Sequence, residues 1–363
     1  MGGTFRRRWT VAVAGLFSRR APHRGRFLPI TDENALIDIE LPQPIASGRD
    51  LLVQVKAIAV NPVDYKIRQN VPAEDGEYKV IGWDAAGEVV AVGQAVTGFK
   101  PGDQVFYAGD LTRSGTNAEF QLVDERIVGH KPQSLSASEA AALPLTTITA
   151  WELLFEHLQL KRQSPGTREK SNEVVMVVGA AGGVGSILIQ LAKTLTGATV
   201  IATASREASR NWVQALGADF VVDHREPLKP QIDALIAEGQ VGAVTHVASL
   251  NGTEQYFDSY VDLLVPFGRI ALIDDPASLD VMKIKPKSLS LHVEFMFARS
   301  MHQAADMNAQ HELLEQVANL VDEGHIRTTA GKHLGAINAE NLRFAHAELE
   351  TGQAVGKIVL EGF

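Results

Sequence analysis

Residues 173 to 193 read EVVMVVGAAGGVGSILIQLAK, an apolar run that breaks into glycines and then resumes with helical spacing. This pattern can hold a dinucleotide phosphate. Val174 to Val178 is a continuous apolar strand of the kind that a parallel sheet covers on both faces. Gly179, Gly182, Gly183 and Gly185 follow, with Ala180, Ala181 and Val184 among them. Glycine lets the backbone take positive φ and lets a pyrophosphate approach the main chain. A helix beginning near Gly183 points its free N–H groups and the positive end of its dipole at that anion. The spacing is A-x-G-x-x-G, with Ala180 where the commoner fingerprint has its first glycine, and the strand before it and helix after it are the context the motif requires. Roughly 20 residues on, where an NAD site carries an acidic residue for the adenosine ribose, the chain has Ser205 and Arg206. A hydroxyl and a guanidinium fork suit the 2′-phosphate of NADPH, with Arg210 and His224 as helpers, although Glu207 is adjacent. The alternative is that Arg206 and Arg210 are solvated residues in the first turns of a helix. The expected cofactor is NADPH.

The elements that must position this turn alternate along the chain. Strand-like runs at 198 to 205, 220 to 224, 243 to 250 and 268 to 274 are separated by helical-period segments at 206 to 218, 227 to 239 and 253 to 265, which predicts a doubly wound parallel sheet. Ahead of it, runs at 50 to 60, 87 to 93, 102 to 109 and 117 to 128 are broken by Gly, Pro and Asp and predict a compact, partly open barrel. After it, LHVEFMF (291 to 297), a helix over about 309 to 323 and a final GKIVLEGF return the chain to that first domain. The expected organisation is an N-terminal extension over 1 to 26 outside the fold, a first domain over 27 to 150, a nucleotide domain over 151 to 294, and the return over 295 to 363. At 363 residues and 45% hydrophobic content the chain can bury a large core, and its net charge of −9 argues against a general nucleic-acid binder. No apolar run approaches the roughly 20 residues of a membrane span. With no cysteine, the chain has no disulfide, thiol nucleophile or thiolate metal site. Residues 1 to 26 carry seven arginines and no acidic residue around TVAVAGLF. That leader reads either as a targeting segment or as an over-extended gene start, so the cytoplasm is the expected location, with organelle targeting or export left open.

IAVNPVDYKIR, IGWDAAGEVVAVG, KPGDQVFYAG, AALPLTTITAWELL and GAAGGVG together resemble the medium-chain dehydrogenase/reductase superfamily, and within it the quinone-oxidoreductase-like branch often labelled zinc-type alcohol dehydrogenase-like. The match runs over about residues 35 to 363. It implies a mixed α/β fold, a GroES-like, partly open β-barrel domain carrying a Rossmann domain with a doubly wound parallel sheet. Zinc-dependent members take their catalytic metal ligands from three positions that here hold Asn61, Trp83 and Leu145. An amide, an indole and an isobutyl group cannot supply the tetrahedral donors zinc needs, and the four-cysteine structural loop is missing, so no metal is expected.

The resemblance further implies a site between the domains lined by Asn61, Tyr65, Trp83 and Asp84, with Thr149 packing on the nicotinamide. Asn61 is expected to donate to a substrate oxygen, and Tyr65 or Lys66 to do so or to relay a proton. Trp83, Phe106, Tyr107 and Phe297 would form flat walls or ordinary core. Asp84 is expected chiefly as a structural hydrogen-bond partner, because a carboxylate beside a developing anion is repulsive. Without a Lewis acid, acceptors that delocalise the incoming charge remain feasible. The expected function is therefore NADPH-dependent reduction of quinones or α,β-unsaturated carbonyl compounds. Its alternatives are an enal or enone reductase with little quinone activity and a non-catalytic NADPH-binding protein. A homodimer through the edge strand LHVEFMF is expected.

Overall fold

A computed structural model of the protein describes residues 9 to 15, 28 to 71, 78 to 167 and 169 to 363. The chain divides into two compact units, one built from 1 to 145, 297 to 322 and 328 to 363, the other from 146 to 296 and 323 to 327. In chain order the strands are β1 (Trp9–Gly15), β2 (Leu36–Pro42), β3 (Asp50–Val60), β4 (Lys79–Val80), β5 (Ala85–Val92), β6 (Gln104–Tyr107), β7 (Phe120–Asp124) and β8 (Val128–His130). They continue with β9 (Val174–Val178), β10 (Thr199–Thr203), β11 (Phe220–Val222), β12 (His246–Ser249), β13 (Arg269–Leu272), β14 (Ser290–Val293), β15 (Ala330–His333) and β16 (Lys357–Glu361). The helices are α1 (Pro62–Asn70), α2 (Ala137–Ala141), α3 (Pro144–Trp151), α4 (Gly183–Leu195), α5 (Glu207–Ala215), α6 (Leu228–Ala237), α7 (Thr253–Leu263), α8 (Ala298–Met301), α9 (Ala309–Asp322) and α10 (Ala339–Glu350).

The second unit holds a sheet ordered β11-β10-β9-β12-β13-β14 with every neighbouring pair parallel. The order reverses between β9 and β12, the place where doubly wound sheets open a crevice at their carboxyl ends. All of Val174–Val178 is buried, as the unbroken apolar run requires of a central parallel strand. Leu228 and Ile232 of α6 and Phe257 and Tyr260 of α7 join Met176, Val178, Ile201 and Val247 in one core.

The first unit is organised by β3. This long strand pairs antiparallel with β5, with β7 over Asp50–Gln54 and with β16 over Ala57–Val60. Register shifts between Leu52 and Val53 and between Val55 and Ala57 break the β3–β5 ladder, and such irregularities bend and twist a strand so that one strand can serve both walls of a barrel. Pairing of Ile358 with Val60 then brings Lys357, at the start of the last strand, level with Asn61.

One expectation is corrected. Residues 1 to 26 were placed outside the fold, yet Trp9–Gly15 forms β1, antiparallel to β2 and, at Ala14 and Gly15, to β4. The backbone of β2 offers a row of donors and acceptors that an apolar segment rich in valine and alanine can complete. Residues 1 to 8 and 16 to 26 lie outside the described residues. The stretch NPVDYKIR, to which the sequence reading assigns no element, is the start of the helix α1. Pro62 opens it, where proline's fixed φ is already helical, and the Asn61 N–H donates to the Asp64 carboxylate at 2.7 Å across the first turn.

Candidate active site

The glycine turn fits a dinucleotide phosphate. Gly179 has φ of +77°, a conformation that favours glycine, and its N–H donates to the Thr203 hydroxyl of β10 at 3.2 Å. Ala180 is fully buried, whereas Ala181, Gly182, Gly183 and Val184 are partly exposed and form the open side of the turn. Gly182 caps α4 in extended backbone, φ −74°, and a Cβ there would meet nothing closer than the Gly179 carbonyl at 3.6 Å. Gly185 differs. A Cβ at Gly185 would come within 2.6 Å of the Ala180 backbone, so this glycine exists for helix-on-strand contact. Ser186 fixes the turn from behind, donating to the Gly182 carbonyl at 2.7 Å and accepting from the Trp212 indole at 2.8 Å.

At the carboxyl ends of β10 and β11 a cationic group gathers. Ser205 is partly exposed, and Arg206 is exposed at the start of α5. The Arg210 guanidinium donates to the carbonyls of Ala204 at 3.2 Å and Val221 at 3.3 Å, tying the two strand ends together. Burial holds the His224 imidazole below its ordinary pKa, with Arg225 and Arg206 adding to the effect against the pull of Asp223. Hydrogen bonds from Arg225 draw the Asp223 carboxyl down to about 2.

In the first unit, Asn61 and Asp84 belong to a closed buried network. Asp84 Oδ1 accepts from the Leu145 N–H at 2.8 Å, and its Oδ2 accepts from Asn61 Nδ2 and from Lys357 Nζ, both at 2.8 Å. Asn61 Nδ2 also donates to the Trp83 carbonyl at 3.2 Å, while Asn61 Oδ1 accepts from Lys357 Nζ. Asn61, Asp64, Asp84 and Lys357 are all buried. Burial raises the Asp84 pKa against the opposing ammonium of Lys357, and it raises Asp64 to about 7. The expectation that Asn61 donates to a substrate oxygen is therefore corrected, since both its amide hydrogens are spent on Asp84 and the Trp83 carbonyl. Lys357 and Asp64 were not singled out from the sequence. Trp83, Phe106, Tyr107 and Phe297 are also buried, the Trp83 indole donating to the Asp110 carbonyl at 3.3 Å and meeting Phe297 edge to face, so they are interior packing and not exposed walls. Tyr65 and Lys66 sit partly exposed on α1, and Thr149 is buried on α3.

Two family models match the chain, an alcohol dehydrogenase GroES-like domain over residues 47–138 and a zinc-binding dehydrogenase over residues 216–360. A zinc-type alcohol dehydrogenase-like protein of Staphylococcus aureus (strain MSSA476) is 40% identical over 321 residues, 88% of this chain and 92% of that one. The chain belongs to the medium-chain dehydrogenase/reductase superfamily, in its quinone-oxidoreductase-like branch. It is an oxidoreductase, with a GroES-like domain and a Rossmann-like domain. A chloroplast envelope quinone oxidoreductase homolog of Arabidopsis thaliana is 32% identical over 328 residues, covering 89% of this chain and 93% of the relative. A solved structure from Rhizobium etli CFN 42, named as a candidate zinc-dependent alcohol dehydrogenase, superposes with a TM-score of 0.89 at 50% identity over 98% of both chains.

The names of these relatives raise zinc, and the residues present do not fit it. Of the three positions that match the superfamily's catalytic ligands, Asn61 has its amide committed to Asp84, Trp83 and Lys357, Trp83 offers only an N–H already donated to a carbonyl, and Leu145 has no side-chain donor atom. An ammonium, Lys357 Nζ, already pairs with the Asp84 carboxylate that contacts Asn61. Zinc would have to displace that cation to gain a single oxygen ligand. Among the described residues, no helix is long and apolar enough to cross a membrane.

Proposed function

We propose that this oxidoreductase is a zinc-independent, NADPH-dependent reductase of quinones or activated alkenes. The observation that carries the reading is that Asn61, Trp83 and Leu145 occupy the three metal-ligand positions, with Asn61 closed into a buried network with Asp84 and Lys357, within a fold whose relatives are oxidoreductases. The nicotinamide cofactor supplies a hydride. The turn from Gly179 to Gly185 and the start of α4 would hold its pyrophosphate, and Ser205 and Arg206 would hold the adenosine end. A quinone delocalises the incoming electron pair into an aromatic hydroquinonate, and an α,β-unsaturated carbonyl delocalises it into an enolate. Each then takes its proton from water or from a donor such as Tyr65, so the protein must chiefly position the acceptor and exclude bulk water.

Arg206→Ala should raise the NADPH dissociation constant about tenfold or more and leave NADH nearly unchanged, because a charge-assisted contact to phosphate is worth about 1.5–3 kcal/mol. Fluorescence titration of both cofactors checks this, and an equal loss for both would assign Arg206 a purely structural role.

A homodimer through the Rossmann-like domain belongs to the same proposal. β14 ends the parallel sheet, and Val293 on it is 67% exposed, with Phe295, Val281 and Met282 also exposed nearby in sequence. An apolar sheet edge invites pairing with a second copy. Light scattering should give about twice the chain mass of 39.2 kDa at micromolar concentration, and a monomer mass would refute the dimer.

A further inference from the structure

We propose that Arg225, together with Arg206, determines recognition of the cofactor's 2′-phosphate, an inference that rests on the NADPH reading above. Arg225 lies just beyond β11, and its Nη2 donates to the carbonyl of Ser205, just beyond β10, at 2.9 Å. The same guanidinium is seated on Asp223, with Nε at 3.1 Å from Oδ1 and Nη2 at 2.6 Å from Oδ2, while the Arg225 N–H donates to Oδ1 at 2.9 Å. These contacts fix the planar head beside the residue pair Ser205–Arg206 even though the side chain is 64% exposed. They use one edge of the fork. A guanidinium has five N–H donors, and the described contacts leave both hydrogens of Nη1 unspent, so a rigid donor edge remains for an anion.

Charge gives the arrangement its direction. Asp223 stands just past the edge strand β11, which is separated by β10 from β9 and its glycine turn, where a bare carboxylate would repel a phosphate. Arg225 neutralises it through the paired contact. The contact with the Ser205 carbonyl sets Arg225 against the residue that directly precedes Arg206. Ordinary exposed ion pairs contribute little, but this pair is bidentate and tied to a second strand through the Ser205 carbonyl, which is the geometry that orients a guanidinium for phosphate.

Calorimetric titration with 2′,5′-ADP and with 5′-AMP reads the phosphate contribution without catalysis. The wild-type protein should bind 2′,5′-ADP more tightly than 5′-AMP. Arg225→Ala should weaken 2′,5′-ADP about tenfold or more and change 5′-AMP by less than about twofold, and Arg225→Lys, which keeps the charge and loses the fork, should recover only part of the loss. If the wild-type preference for 2′,5′-ADP is present and Arg225→Ala retains it within about threefold, the role assigned to Arg225 is wrong while the NADPH reading stands. If the wild-type protein binds both nucleotides equally, the NADPH reading itself fails and this inference with it. Circular dichroism of both variants controls for the fold, which an exposed side chain at a strand end leaves intact.

Discussion

Lys357→Met is expected to lower the unfolding free energy by about 3–5 kcal/mol, the usual cost of removing one partner from a buried ion pair. Among the described residues, the Lys357 ammonium is the cation paired with the Asp84 carboxylate, and it also occupies Asn61 Oδ1. Methionine fills most of the same volume, so the loss would report charge and not a cavity. Adding Asp84→Asn to Lys357→Met should restore part of the stability, because the orphaned carboxylate is then gone. Urea unfolding of the wild type, the single variants and the double variant measures the coupling. A loss below about 1 kcal/mol in Lys357→Met would place the pair among weak surface-like interactions and undo the account of this network.

The two glycines of the phosphate turn should separate binding from folding. Gly182→Val keeps ordinary backbone, φ −74°, and finds open space in the protein, so its stability should fall by no more than about 1 kcal/mol while NADPH binding is lost. Gly185→Ala adds one methyl against the Ala180 backbone, where nothing flexible can give way, and should cost at least about 1–3 kcal/mol in folding. Thermal unfolding with and without NADPH distinguishes them. A Gly182→Val protein that still gains thermal stability from NADPH would move the pyrophosphate away from this turn.

Much of this architecture was legible before any coordinates, for a physical reason. Strands buried on both faces need unbroken apolar runs, and Val174–Val178, Thr199–Thr203 and His246–Ser249 lie where such runs were read. The parallel order followed from the helices between them. α1 was missed because Pro62–Asn70 carries almost no apolar periodicity, and its start is fixed by Pro62 and by the Asn61–Asp64 hydrogen bond. β1 was missed because its pairing with β2 is a backbone match between segments separated by an arginine-rich stretch.

The candidate site was less legible. The sequence says that Asn61, Trp83 and Leu145 stand where metal ligands would and that Asp84 is a structural hydrogen-bond partner, but Lys357 lies 273 residues from Asp84 in what reads as an ordinary closing strand. Only the β16–β3 register brings it beside Asn61. The aromatic residues could be read as walls or as core, since residue type does not encode which side of a strand faces inward in a bent barrel, and burial assigns Trp83 and Tyr107 to the interior. Arg225 carried no signal of its own, being one of several charges in DHREP. The one available hint was its place directly after a strand next to the glycine-bearing pair.

The measurement that tests the account most directly is acceptor-dependent NADPH consumption by protein dialysed against a strong chelator, with benzoquinone, phenanthrenequinone and hexenal as acceptors. The account predicts turnover with at least one of these acceptors, unchanged by the chelator and slower with NADH at equal subsaturating concentration. Absence of consumption with every acceptor, or activity that returns only on addition of zinc, would contradict it.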